Sequence, residues 1–164
     1  MRSRGFTLIE LTVVICAVAL LFGVALDRLL RYQELGERAA LEQNIGAMNS
    51  ALAMKFAGYV ISGKPAAIEA EVGANPINLL ARPPQNYLGE LFDPDEKAVP
   101  ARSWYFDRRS GELVYVPGRT RYLTIASASH EALRFRISLT QAHDDRELRQ
   151  PFVGPSQPFT WQIE

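Results

Sequence analysis

The chain has 164 residues, enough for one modest domain with or without an appendage. Lysine plus arginine and aspartate plus glutamate each number 18, so there is no charge excess for a polyanion, and nucleic acid is not expected as a partner. The single cysteine, Cys16, excludes an intrachain disulfide, so the folded part must be held by packing.

Arg2 and Arg4 precede a run, residues 6–26, whose only charge is Glu10. At about 1.5 Å per helical residue this run reaches about 30 Å, the thickness of one hydrocarbon core. The basic residues before it predict a cytoplasmic amino terminus and an exported remainder. Glu10 is the anomaly. A charged side chain at the centre of a span costs about 2.5–3.5 kcal/mol on insertion scales, and such a group needs a partner or a function. No lysine, arginine or histidine lies within 6–26, so the neutralising group must come from outside the helix. Two alternatives leave Glu10 unexplained. One is a cleaved secretory signal with Gly23-Val24-Ala25 as its cleavage region; the other is a plain signal anchor. Either would carry a periplasmic enzyme or binding domain.

Gly5-Phe6-Thr7-Leu8-Ile9-Glu10-Leu11, set between a basic leader and an apolar span, resembles the class III signal of type IV pilins and type II secretion pseudopilins. The resemblance implies a leader of residues 1–5, cleavage by a prepilin peptidase between Gly5 and Phe6, and N-methylation of Phe6. It also implies that Glu10 meets the amine of Phe6 in a neighbouring subunit during filament assembly. Such a pair gains strength in low dielectric, so the cost of burying each ion favours one register. The implied partners are the peptidase, other pilin or pseudopilin subunits, and an inner-membrane assembly platform driven by a cytoplasmic ATPase. The absence of a cysteine pair near the carboxyl end favours a secretion pseudopilin, or a minor or MSHA-type pilin, over a major adhesive pilin.

Residues 6–30 are therefore expected as a membrane and filament-core helix, with 31–57 as its amphipathic continuation. No proline occurs before Pro65, and Leu41, Ile45, Met48, Leu52, Phe56 and Tyr59 recur at helical spacing. That stripe needs a surface to cover, which the globular portion, 58–164, would supply. Gly23, Gly36 and Gly46 each weaken a helix by up to about 1 kcal/mol relative to alanine; Gly23 leaves open a local unwinding on packing.

Short helices are expected over 64–72 and over 75–81, the second capped by Asn75, and a loop over 85–102. Residues 104–116 read as a β-hairpin with Gly111 at the turn exit. Further strands are expected over 122–126, 133–139 and 159–163; the second alternates Leu133, Phe135, Ile137 and Leu139 with polar residues. The sum is an α+β, pilin-like fold in which a long amino-terminal helix packs on a carboxy-terminal antiparallel sheet.

Other chemistry is thin. Asp93, Asp95 and Glu96, or Asp144, Asp145 and Glu147, offer oxygen ligands for calcium, but neither set has the spacing of a defined calcium loop, and no cofactor is expected. His130 and His143 lie in polar stretches without a nucleophile arrangement, and no enzyme activity is expected.

Overall fold

The computed structural model describes residues 7–126, 132–141 and 148–163, and the chain divides into two compact units, Met1–Gly36 and Glu37–Glu164. One helix, α1 (Leu8–Ile61, 54 residues), contributes to both. It continues through Gly23, Gly36 and Gly46, where an added Cβ would meet nothing within 4 Å. Its end lies beyond the expected residue 57, because Gly58 is absorbed into the last turns. The stop comes at Gly63, with φ of 69°, where the Gly63 amide donates to the Val60 carbonyl at 3.0 Å and the Lys64 amide to the Tyr59 carbonyl at 2.9 Å. This pair of bonds is the Schellman closure, and the left-handed position favours glycine.

In the first unit, α1 contains a segment long and apolar enough to cross a membrane, and residues 7–29 are exposed. Cys16 is among them.

In the second unit the helical stripe is core. Leu41, Met48 and Leu52 are buried, and Ile45, Phe56 and Tyr59 pack against the same cluster. The surface they cover is a five-stranded sheet, order β1-β2-β3-β5-β6, formed by β1 (Tyr87–Leu91), β2 (Ser103–Asp107), β3 (Glu112–Val116), β5 (Leu133–Leu139) and β6 (Pro151–Pro155). Trp104, Phe106, Leu113, Tyr115, Leu133, Phe135 and Ile137 project from one sheet face into that cluster. Trp104 stacks at a tilt against Tyr115, ring centroids 4.7 Å apart, and lies 6.0 Å from Phe135.

The α+β class is the one expected, with differences in detail besides β6, which no expected strand covers. Residues 85–102 are not all loop: β1 lies inside them and pairs parallel with β2, bulging at Gly89, whose φ is 98°. The segments 122–126 and 159–163 do not join the main sheet. As β4 (Leu123–Ile125) and β7 (Phe159–Trp161) they make a separate antiparallel pair. The expected helices over 64–72 and 75–81 are short 3-10 turns, Pro65–Glu71 and Pro76–Leu79; Asn75 caps the second by accepting from the Ile77 amide at 3.1 Å.

The opposite sheet face is also closed. Tyr105, Val114 and Ala132 are buried there with Leu91, Val99 and Val116 against them. Arg134 sits on this face among carboxylates: it pairs with Glu96, with Glu112 at 3.0 Å and with Asp107 at 3.9 Å. Burial alone would lower the Arg134 pKa, but the hydrogen bonds to Glu96 and Glu112 outweigh it and the net shift is upward.

Candidate functional site

The amino-terminal half of α1 is where the sequence concentrates its chemistry. Gly5 and Phe6 lie outside the described residues. Glu10 occupies the first turn, and its backbone amide donates to the Thr7 hydroxyl at 3.3 Å, while the Leu11 amide donates to the Thr7 carbonyl at 3.1 Å. Thr7 is thus the amino-terminal cap, and Thr7-Leu8-Ile9-Glu10 has the spacing of a capping box, a signal already present in the sequence. A carboxylate in the first turn also faces the positive end of the helix dipole. Glu10 therefore has one local role, helping the helix to start. That role does not neutralise its charge: among the described residues its neighbours at helical spacing, Thr7, Val13 and Val14, are uncharged.

Around Glu10 the surface is continuous and apolar. Leu8, Ile9, Leu11, Val13, Val14, Ile15, Val18, Leu20, Leu21 and Phe22 are all exposed. Exposed apolar area on this scale marks a surface that meets lipid or another apolar partner.

In the second unit, α1 is fixed to the sheet by polar groups that hydrophobic periodicity does not reveal. Glu37 accepts from the Tyr115 hydroxyl at 2.9 Å, the Gly118 amide at 2.6 Å and the Arg102 guanidinium at 3.3 Å. Asn49 bonds the backbone of β6, and Arg38 donates to the Trp161 carbonyl at 2.6 Å. Lys55 pairs with Glu71 at 2.7 Å. Within this unit the helix is locked in rotation as well as position.

Acidic residues considered for calcium have other partners. Asp93 pairs with Arg109, Asp95 caps a short turn by accepting from the Lys97 amide at 3.1 Å, and Glu96 pairs with Arg134. No cluster of three metal-ligating side chains occurs among the described residues. Asp144, Asp145, Glu147, His130 and His143 fall outside them.

Clefts among the described residues of the second unit include two. One, about 260 Å³, lies between Arg38, Leu41 and Glu42 of α1 and the β7 segment. The other, about 340 Å³, lies beyond the end of β3, lined by Val72, Gly73, Ser110, Gly111 and Arg136 to Leu139.

Comparison with protein-family models, with curated proteins and with solved structures returned no match.

Proposed function

We propose that this chain is a structural subunit of a type IV pilus-like filament, either a type II secretion pseudopilin or a minor or MSHA-type pilin. The observation that carries the reading is the unbroken α1. Its exposed apolar run as far as Leu26 holds one carboxylate, Glu10, and its second half is built into the core of a folded α+β unit.

In this reading the chain is inserted in a bacterial inner membrane, with its amino terminus cytoplasmic and its sheet unit periplasmic. Prepilin peptidase cuts between Gly5 and Phe6, and Phe6 is N-methylated. Assembly, powered through a platform by a cytoplasmic ATPase, brings the Phe6 amine of one subunit to Glu10 of another. The apolar helix surface then exchanges lipid for neighbouring helices, and the charge pair selects the register. The chain is a substrate of one enzyme and has no catalytic role itself.

Mass spectrometry of the mature amino terminus tests the processing: an N-methylated Phe6 is expected. A terminus at Leu26 would mean ordinary secretion, and an intact Met1 a plain anchor; either overturns the reading.

A further inference from the structure

From Glu37 to Ile61, α1 carries four charged residues, and each is engaged within the second unit. Glu37 holds Arg102 at 3.3 Å, Arg38 holds Glu42 and the Trp161 carbonyl, and Lys55 holds Glu71 at 2.7 Å. The side of the helix turned away from the core carries no charge. Ala40, Gln43, Ala47, Ser50, Met54 and Ile61 recur there at helical spacing, all exposed, Met54 by 77% and Ile61 by 87%. The Ser50 hydroxyl is spent on its own helix, donating to the Gly46 carbonyl at 2.9 Å. A helix that covers a core ordinarily turns charged and polar residues to water, and this one turns mostly small and apolar residues instead.

Charge, size and direction define the partner of this face. Unlike proteins commonly meet through charges of opposite sign, one set matching the other. Two identical faces running parallel about a two-fold axis have no such option, because each residue near the axis meets its own copy and every charge meets its like. An uncharged face is what self-pairing requires. The strip from Ala40 to Ile61 is about 32 Å long and about 10 Å wide, well short of the roughly 800 Å² that each partner gives to a standard interface. It is too small to hold two soluble molecules together, and large enough for two that a membrane already confines side by side. The apolar segment of α1 supplies that confinement, and chains inserted with one topology run parallel. Ala40, Ala47 and Ser50 are small, which lets two helices approach closely.

We propose that this face pairs with the same face of a second copy of the chain, parallel and in register, while both are held in the membrane. Gln43 then meets Gln43, and a primary amide both donates and accepts, so the two side chains bond each other. A lone polar pair in such a seam fixes the register at a cost in stability. The contact is isologous and closes at two copies, so it cannot itself propagate a fibre. Under the filament reading it is a resting form that assembly opens. The pairing depends on the membrane-inserted part of that reading alone.

The test uses the full chain with Cys16→Ser, reconstituted at low density in bilayer vesicles, with one cysteine introduced at a time along α1 and a brief oxidation. Disulfide-linked dimers are expected for Gln43→Cys, Ala47→Cys and Ser50→Cys. They are not expected for Glu42→Cys or Ala53→Cys, exposed positions on the flank that the seam leaves too far apart to bridge. Ala47→Glu sets two like charges against each other and should lower the dimer yield of Gln43→Cys about tenfold. Mixing Ala47→Glu with Ala47→Lys copies should restore it, and neither substitution should alter the near-ultraviolet circular dichroism of the fold. Equal yields at face and flank, or no dimer at any position, overturn the proposal. So does a yield that Ala47→Glu leaves unchanged. Preferential linking of Ala40→Cys in one copy to Ala47→Cys in another would show a staggered pair and overturn the in-register contact. None of these outcomes depends on cleavage after Gly5 or on fibre formation, which the mature amino terminus tests separately.

Discussion

Asn49 in α1 pairs with Val153 in β6 as a neighbouring strand would: its Oδ1 accepts from the Val153 amide at 2.8 Å, and its Nδ2 donates to the Val153 carbonyl at 3.1 Å. β6 is an edge strand, and Val153 opposes Ile137 at a position where β5 makes no bonds to it, so its peptide groups point off the sheet. One side chain thus satisfies edge groups that would otherwise have to find water or another chain. Asn49→Ala leaves both unpaired and should cost about 1–3 kcal/mol, read as a fall of several degrees in the Tm followed by near-ultraviolet circular dichroism. An unchanged Tm would mean that water replaces the side chain without loss.

Glu37 presents the same logic with a charge. Its side chain is 5% exposed and collects the Tyr115 hydroxyl, the Gly118 amide and Arg102. Removing one member of a buried ionic group costs about 3–5 kcal/mol, because the remainder is left uncompensated. Glu37→Ala should approach the lower end of that range in denaturant unfolding, since Arg102 is half-exposed and can rehydrate. Glu37→Gln, which keeps an acceptor, should lose less. Equal losses would assign the effect to volume rather than to charge.

Tyr105 is fully buried, and among the described residues its hydroxyl has no hydrogen-bond partner. Burial, reinforced by the nearby negative charge of Glu96, pushes its pKa up to about 12. A raised pKa contributes stability in full below the usual tyrosine value of about 10, and that contribution is lost as pH rises through 12. Tyr105→Phe should therefore be neutral or stabilising by up to about 1 kcal/mol at pH 7, and should flatten the loss of stability between about pH 10 and 12. Melting curves across that range check both statements, and a marked destabilisation at pH 7 would reveal a partner for the hydroxyl.

Asp107 answers at the acid end. Burial would raise its pKa, but hydrogen bonds from the Arg109 amide, the Asp93 amide and the Ser110 hydroxyl, together with Arg134, lower it overall. A depressed carboxylate contributes stability above its unfolded pKa of about 3.9, and the contribution is lost as pH falls through the folded value. Unfolding midpoints should decline below about pH 4, and Asp107→Asn should lower the neutral-pH midpoint while making that acid decline shallower. The opposite pattern, a steeper decline in the variant, would place the acid-sensitive charge elsewhere.

One substitution separates the local role of Glu10 from the role proposed for its charge between subunits. Glutamine serves in a capping box nearly as well as glutamate, so Glu10→Gln should leave the start of α1 intact while removing the charge. If neutralisation between subunits drives assembly, Glu10→Gln should abolish incorporation into filaments almost as completely as Glu10→Ala. Thr7→Val, which loses only the cap, should reduce incorporation mildly. Normal incorporation of Glu10→Gln would show that Glu10 acts only within its own helix.

The features that were legible in the sequence repeat a period. Leu41 to Tyr59 and Leu133 to Leu139 expose their buried faces by spacing alone, and all six positions of the helical stripe join the core. What escaped obeys exceptions. β1 hides because Gly89 bulges it and its partner is parallel. β6 hides because Pro151 and Pro155 read as strand breakers; they stand opposite Leu139 and Phe135, where β5 demands no amide from them, and an edge tolerates proline there. Glu37 and Asn49 look like ordinary helix-surface residues until the sheet is placed against them. Glu10 stood out because it violates the composition around it, whereas its cap, Thr7, is a common residue in a common place.

Cys16, the sole thiol, faces outward from the apolar half of α1. The native chain therefore carries its own spectroscopic address. A nitroxide or solvatochromic dye attached there would register the surroundings of that helix without any engineered cysteine. Two such labels in adjoining molecules would report their spacing by dipolar coupling.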